Sequence, residues 1–99
     1  SDHFVAPRTD DEKLLADLWR ELLKVEKIGV HDNFFELGGH SLLATKLVSR
    51  IRKTFNLEFS VRQLFELPTI AEMIVPIEST LKLKQQTTKS PQKREIFKF

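Results

Sequence analysis

Cysteine is absent from this chain of 99 residues, which also has no tyrosine, a single tryptophan and only three glycines. Without a thiol, the sequence excludes a disulfide framework, thiolate chemistry and a cysteine metal site. The three histidines, at positions 3, 31 and 40, lack the spacing of a zinc site. No apolar run approaches the roughly 20 residues of a membrane span. We therefore expect neither a bound metal nor a membrane contact.

The beginning of the chain also lacks two features. It lacks the basic residues followed by an apolar stretch that are typical of a signal peptide, and its first residue is not methionine. We expect a cytoplasmic piece of a longer protein.

Charge is divided unevenly along the chain, although the formal net charge is only +2. Residues 1–81 contain 10 basic and 13 acidic residues, whereas residues 82–99 contain six basic residues and one acidic residue. The first part has the composition of one small globular domain, and the polar, basic second part is typical of a flexible tail. Because the body is acidic, a nucleic-acid contact is disfavoured. We predict a linker at 1–8 from an upstream domain, a domain at 9–81, and a flexible linker or tail at 82–99 toward a following domain.

Three capping boxes predict the beginnings of helices. In this pattern Ser or Thr is followed three residues later by Glu or Gln, and it occurs at 9–12, 60–63 and 69–72. Helical apolar spacing follows the first box to about residue 25, and a second apolar stripe runs from Ser41 to a C-cap at Asn56. Pro76 interrupts the last run, so this helix should kink or stop near residue 75. The fold class is therefore all-α, with three main helices and one short helix.

The connection between the first two long helices, EKIGVHDNFFELGGH at 26–40, is long and carries its own apolar residues. A long loop of this kind inside a compact domain usually packs down and is often functional. Asn33 and Glu36 are placed to cap a single helical turn within it. We expect the loop to pack on the helices through Ile28, Val30, Phe34, Phe35 and Leu37.

Ser41 follows two glycines and a histidine where the second helix should begin, and four interpretations are open. As an N-cap it would only stabilise the helix, typically by about 1 kcal/mol. A nucleophile is disfavoured because GHSLL lacks the second glycine of G-x-S-x-G and no acid is placed in a triad. A phosphate cradle is disfavoured because the P-loop lysine is missing. As an attachment point, Ser41 would hold an anionic group at a helix N-terminus, and the glycines would let another protein's active site approach.

Residues 28–55, IGVHDNFFELGGHSLLATKLVSRIRKTF, closely resemble the core of peptidyl carrier (thiolation) domains of nonribosomal peptide synthetases. The segment VAPRTDDEKLLADLW is similar to the family's junction from an adenylation domain into the first helix. SVRQLFELPTIAEM resembles the family's third and fourth helices. The resemblance covers about residues 5–78, and the D-x-F-F-x-L-G-G-x-S pattern at 32–41 is highly specific.

This resemblance implies a four-helix carrier-protein bundle with a covalent 4′-phosphopantetheine on Ser41. In that family a phosphopantetheinyl transferase takes the arm from coenzyme A with Mg²⁺. The arm's thiol then carries aminoacyl or peptidyl thioesters between active sites, and the domain itself catalyses nothing. By the same pattern, Gly38 and Gly39 shape the approach to the serine, whereas His40 and Leu42 flank the arm.

The resemblance also implies a set of partners. They are a phosphopantetheinyl transferase, an adenylation domain upstream, and a condensation, thioesterase or other domain downstream, with no nucleic acid and no membrane; the isolated domain should be a monomer. The second helix, at 41–55, contains no acidic residue. Fatty-acid and polyketide acyl carriers have an acidic second helix, and a basic surface should bind different partners from an acidic one. The resemblance therefore favours the peptidyl type. The alternatives are an acyl carrier of a hybrid polyketide and peptide assembly line, and a helical interaction domain that carries nothing.

Some side chains near Ser41 allow both a structural role and a partner contact. We expect Met73 and Phe65 in the core, and Leu42 as an exposed partner contact beside the site. Lys46 and Arg50 lie one helical turn apart, and a solvated charged face is the favoured interpretation for both.

Overall fold

The computed structural model describes residues 4–89, and the side chains of residues 4–84 among them. It contains four helices, and between residues 4 and 89 no strand, apart from an isolated β-bridge that pairs Asn33 with Thr69. The helices are α1 (Asp10–Leu23), α2 (Ser41–Phe55), α3 (Val61–Glu66) and α4 (Ile70–Lys89). The all-α prediction, with three long helices and one short helix, is confirmed.

The predicted capping boxes at the beginnings of α1 and α3 are present. The Thr9 hydroxyl accepts from the Glu12 N–H at 3.0 Å, while the Glu12 carboxylate accepts from the Thr9 N–H at 3.3 Å. Ser60 and Gln63 pair in the same way before α3. These reciprocal bonds satisfy backbone donors that a helix N-terminus leaves unpaired, so local sequence alone sets where both helices begin.

The first two helices end on residues with left-handed backbone. Lys24 follows α1 with a φ of 59°, and Asn56 follows α2 with a φ of 54°. The predicted C-cap at Asn56 is thereby confirmed. The helix predicted to reach about residue 25 ends at Leu23, because the left-handed turn at Lys24 breaks the helical backbone.

α4 is longer than the sequence predicts. It continues through Pro76 to Lys89, so the predicted stop near residue 75 is wrong. The alternative of a kink at Pro76 and the flexible linker or tail at 82–99 stay predictions. Proline removes one donor from the helix. The apolar face on both sides of it is buried, and this packing sustains the helix across the proline, through Ile70, Met73, Ile74 and Ile77. Residues 90–99, including the apolar 96–99, lie outside the described residues.

One hydrophobic core joins the helices to the 26–40 loop. α1 contacts both α2 and α4, and α2 contacts α3. The Trp19 ring of α1 meets the Phe34 ring of the loop edge-on, with centroids 5.2 Å apart. The loop's predicted packing is confirmed for Ile28, Val30 and Phe34, none of which is more than 1% exposed.

Residues 4–8, which we call the strap, also pack on this loop. The Val30 N–H donates to the Val5 carbonyl at 2.8 Å, and the Val30 carbonyl accepts from the Ala71 N–H of α4 at 2.9 Å. Val30 thus connects the strap to α4. The assignment of residues 1–8 as a linker from an upstream domain stays a prediction, but its residues 4–8 lie against the bundle.

Replacing Pro76 by alanine should stabilise the protein. The variant gains an N–H that can donate to the Glu72 carbonyl one turn earlier, and interior proline is disfavoured in helices by about 3 kcal/mol. Because Pro76 is half-buried and proline also restricts the unfolded chain, we expect a net gain of only about 1–3 kcal/mol in the free energy of unfolding, measured by urea denaturation.

Ser79→Ala, at an exposed position of the same helix, is the matched control and should change the free energy by less than about 0.5 kcal/mol. A loss of stability in Pro76→Ala would show that the ring's packing outweighs the missing hydrogen bond.

Candidate functional site

Ser41 is the first residue of α2, and the N-cap position before it belongs to His40, whose backbone is extended. The interpretation of Ser41 as an N-cap is therefore wrong. Its side chain is exposed, and its hydroxyl has no hydrogen-bond partner among residues 4–84. The serine hydroxyl consequently performs no structural task at the point where the loop becomes a helix.

The backbone around Ser41 presents unpaired donors. The first hydrogen bond of α2 runs from the Ala44 N–H to the His40 carbonyl at 2.7 Å. The N–H groups of Ser41, Leu42 and Leu43 precede it and have no partner within the described part of the chain. The first turn contains no acidic residue. An anion is therefore favoured here by the helix dipole and by these donors, typically by about 0.3–1 kcal/mol.

A single helical turn, residues 33–38, leads into the site. The Asn33 side-chain oxygen accepts from the N–H groups of Phe35, at 2.8 Å, and Glu36, at 3.2 Å. The Leu37 N–H donates to the Asn33 carbonyl at 3.1 Å, which closes the turn. The predicted cap at Asn33 is thereby confirmed, whereas Glu36 contributes only its backbone N–H.

Gly38 and Gly39 are needed for different structural reasons. Gly38 has a φ of 113°, a backbone conformation that side chains disfavour. Gly39 lies so close to Phe34 that an added Cβ would collide with the Phe34 ring and would lie 2.7 Å from the Phe34 carbonyl oxygen. Both glycines are thus required by the path of this chain itself, a reason that the sequence pattern does not reveal. That they also shape the approach of another protein to Ser41 stays a prediction.

The residues on either side of Ser41 point to a partly apolar surface. Leu42 is 59% exposed, as expected for a contact residue, and His40 is exposed.

Phe65, predicted in the core, is 52% exposed, and its ring stacks on that of Phe35 with centroids 5.0 Å apart and planes 2° from parallel. The prediction was wrong for Phe65 because a helix of six residues has too few positions to define a buried face. Met73 is fully buried, as predicted.

The basic residues of α2 lie on an exposed face. Lys46 and Arg50 are both exposed, and Arg50 pairs with Glu21 of α1. Arg52 pairs with Glu58 at 3.4 Å. The predicted solvated charged face is present, and surface pairs of this kind contribute little to stability.

The site lacks the groups that serine catalysis needs. Thr45 donates its hydroxyl to the Ser41 carbonyl, but no described side chain hydrogen-bonds to the Ser41 hydroxyl or to the His40 ring. A nucleophile-and-base pair is therefore not assembled in the described residues. The same part of the chain holds no cluster of three or more His, Cys, Asp or Glu residues that could bind a metal. Nor is any helix within it long and apolar enough to cross a membrane.

Known proteins share this arrangement. Residues 13–74 match the family described as "Phosphopantetheine attachment site". Among solved structures, the peptidyl carrier protein in complex with the phosphopantetheine transferase Sfp and coenzyme A is 34% identical, with a TM-score of 0.75. That match covers 77% of this chain and 99% of the other. The chain belongs to the peptidyl carrier domains of nonribosomal peptide synthetases.

Two further relatives show how far the likeness of this carrier domain extends. Gramicidin S synthase 2 of Brevibacillus brevis is 51% identical over 70 residues, 71% of this chain. The solution structure of a non-covalent extended docking domain complex of the Pax NRPS, PaxA T1-CDD/PaxB NDD, is 40% identical with a TM-score of 0.78 and covers 93% of this chain and 94% of that chain. The chain spans only 1–3% of the length of the curated synthetases it matches.

Carrier domains of this family hold a covalent phosphopantetheine, and the residues of this chain fit that group. Its phosphate needs an accessible hydroxyl and a surrounding that favours negative charge. The unpaired hydroxyl at Ser41, the donors that precede Ala44, and the absence of acidic residues in the first turn of α2 supply both.

Replacing Gly39 by alanine should destabilise the loop that leads to Ser41. The added methyl group would displace the buried Phe34 ring, and overpacking of this kind costs about 1–3 kcal/mol. Urea denaturation of Gly39→Ala should show this loss. Combining it with Phe34→Leu should cost less than the sum of the two single changes, because the smaller side chain makes room. Strict additivity would contradict the contact between Gly39 and Phe34.

Proposed function

We propose that Ser41 is the residue to which phosphopantetheine is attached in this carrier domain. The observation that carries the proposal is the serine hydroxyl, which is exposed and unpaired in the first turn of α2 although serine usually caps helices. No described side chain, His40 included, hydrogen-bonds to this hydroxyl. A separate transferase must therefore remove the hydroxyl proton, and coenzyme A must supply the arm: the serine oxygen bonds to the phosphate of the arm while the pyrophosphate bond of coenzyme A breaks and 3′,5′-ADP leaves.

The residues around Ser41 have separate roles in this proposal. The N–H groups of Ser41, Leu42 and Leu43 favour the phosphodiester charge at the helix N-terminus. The exposed Leu42 side chain and His40 flank the arm, while Gly38 and Gly39 keep the loop close to Phe34 and leave the hydroxyl open. When bound, the arm supplies a thiol that holds aminoacyl or peptidyl groups as thioesters.

The chain itself acts as a carrier and catalyses no reaction in this proposal. A phosphopantetheine transferase is supported as a partner because a 34% identical carrier protein forms a complex with Sfp and coenzyme A. An adenylation domain is supported by the 35% identical chain of the McyG A-PCP structure, of which this chain covers 11%. A condensation, thioesterase or other downstream domain completes the proposed set of partners.

Incubation with coenzyme A, Mg²⁺ and a broad-specificity phosphopantetheinyl transferase should add one phosphopantetheine to the parent chain, as measured by intact mass. Ser41→Ala should gain nothing. Ser49→Ala is the matched control, since Ser49 is also an exposed serine of α2, and it should be modified like the parent. Modification of the folded Ser41→Ala variant, or none of a folded and unmodified parent, would contradict the proposal.

We also propose that the C-terminal half of α4 contributes to binding a second synthetase chain. α4 continues to Lys89, and the docking domain complex of the Pax NRPS resembles 93% of this chain. Residues 79–89 contain Lys82, Lys84 and Lys89 and no acidic residue, so an acidic segment is the complementary partner.

Calorimetric titration of the whole chain with the N-terminal docking segment of the synthetase that accepts its product should show binding that weakens with salt. Truncation after Leu81 should abolish this binding and leave transferase modification intact. Equal binding by the truncated chain would contradict a role for α4 in docking.

A further inference from the structure

We propose that the strap, residues 4–8, is a releasable anchor that lifts off the 26–40 loop while the bundle stays folded, and so lengthens the connection to preceding sequence. The inference rests on the proposed function, because only a carrier that visits several active sites needs a variable reach. Three properties of the strap support this: it makes few contacts with the loop, most of its residues are exposed, and hydrogen bonds to Glu12 hold the chain where the strap joins α1.

Three contacts hold the strap on the loop. The Phe4 ring lies so close to Gly29 that a Cβ added to Gly29 would be 2.9 Å from the ring and 3.3 Å from the Val5 carbonyl oxygen. The Lys27 ammonium lies 4.3 Å from the centroid of the Phe4 ring, a cation–π contact. The Val30 N–H donates to the Val5 carbonyl at 2.8 Å. The loop residue Gly29 is therefore matched to the strap in shape.

The strap's contacts are few, and most of its residues are exposed, whereas Val5 is half-buried and packs against the hydrophobic core. Phe4 is 39% exposed, and Ala6, Arg8 and Lys27 are exposed as well. Within the described residues, the bond from Val30 to Val5 is the one backbone hydrogen bond between the strap and the loop. Segments held by few buried contacts open locally at much lower free energy than the core. The strap should therefore open before any helix does.

A pivot fixes how much of the chain is released. The Glu12 carboxylate accepts from the Arg8 N–H at 2.7 Å and from the Thr9 N–H at 3.3 Å, and Glu12 is only 9% exposed. This buried carboxylate holds the chain at the beginning of α1. Opening thus frees residues 4–7, which in extended form reach about 13 Å.

The loop remains anchored from its other side when the strap lifts. The Val30 carbonyl accepts from the Ala71 N–H at 2.9 Å, and the Phe34 N–H donates to the Pro68 carbonyl at 2.8 Å. Phe34 itself is fully buried. Release of the strap therefore extends the connection without moving the turn that leads to Ser41.

Amide hydrogen exchange followed by NMR tests the inference in the whole chain. Val30 reports the strap hydrogen bond, and Leu47, fully buried in α2, reports the bundle. In the parent chain Val30 should exchange at least about tenfold faster than Leu47, because it opens locally. Equal exchange of the two amides would overturn the inference, since the strap would then open only with the bundle.

Two variants should release the strap from opposite sides. Phe4→Ala removes the ring, and Gly29→Ala, at a position without positive φ, pushes it away. Each variant should exchange the Val30 amide about tenfold faster than the parent chain does. The double variant should be little faster than either single one, because both changes break the same contact between Phe4 and Gly29. Phe65→Ala, which removes another half-exposed ring, is the matched control and should leave Val30 unchanged. Equal acceleration of Val30 and Leu47 in the strap variants, or strict additivity, would overturn the inference.

A spin label gives an independent measurement. The chain has no cysteine, so Ala6→Cys offers one labelling position on the exposed side of the strap. The electron paramagnetic resonance spectrum should contain an immobile and a mobile component, and Phe4→Ala should shift it to the mobile one. A spectrum with a single immobile component in both proteins would overturn the inference. Transferase modification of Ser41, measured on the same samples, should be unchanged; its absence would count against the proposed function, whereas a failed strap test would not.

Discussion

The burial of Phe34 is the constraint on which the rest of the site depends. Its ring meets Trp19 of α1 edge-on, and its carbonyl and ring lie so close to Gly39 that no side chain fits there. The Gly39 N–H donates back to the Phe34 carbonyl at 3.0 Å. One aromatic residue in the loop therefore fixes both the hydrophobic core and the backbone two residues before Ser41.

This arrangement explains how a small helical bundle can present a reactive position without building an active site. The loop is held by Phe34 and by its bond to Pro68, so the serine is placed by packing and its hydroxyl takes no part in holding the helix. A carrier needs such an open hydroxyl, because the chemistry of attachment and transfer belongs to its partners. Leu42, next to the serine, exposes an apolar side chain, and so does Phe65, whose ring stacks on Phe35 of this loop.

Features set by neighbouring residues could be predicted from the sequence, whereas features set by tertiary packing could not. The capping boxes at Thr9 and Ser60 depend on side chains three residues apart, and they are present as predicted. α2 begins at Ser41 as predicted, but the path of Gly38 and Gly39 around Phe34 gives the N-cap position to His40, which the local pattern does not predict. Likewise, Pro76 predicts a break by its local chemistry, but the buried face of α4 sustains the helix. The family resemblance pointed to Ser41, and the geometry adds the reason that its hydroxyl is open.

The central claim is that the arm is attached at Ser41, and mapping the added mass on the unaltered chain tests it most directly. Trypsin should release residues 28–46, a peptide in which Ser41 and Thr45 are the hydroxyl-bearing side chains. Thr45 donates its hydroxyl to the Ser41 carbonyl at 3.0 Å and is therefore engaged. After transferase treatment, fragment ions should place phosphopantetheine on Ser41. Its appearance on Thr45 or on any other peptide of the folded chain would contradict the account.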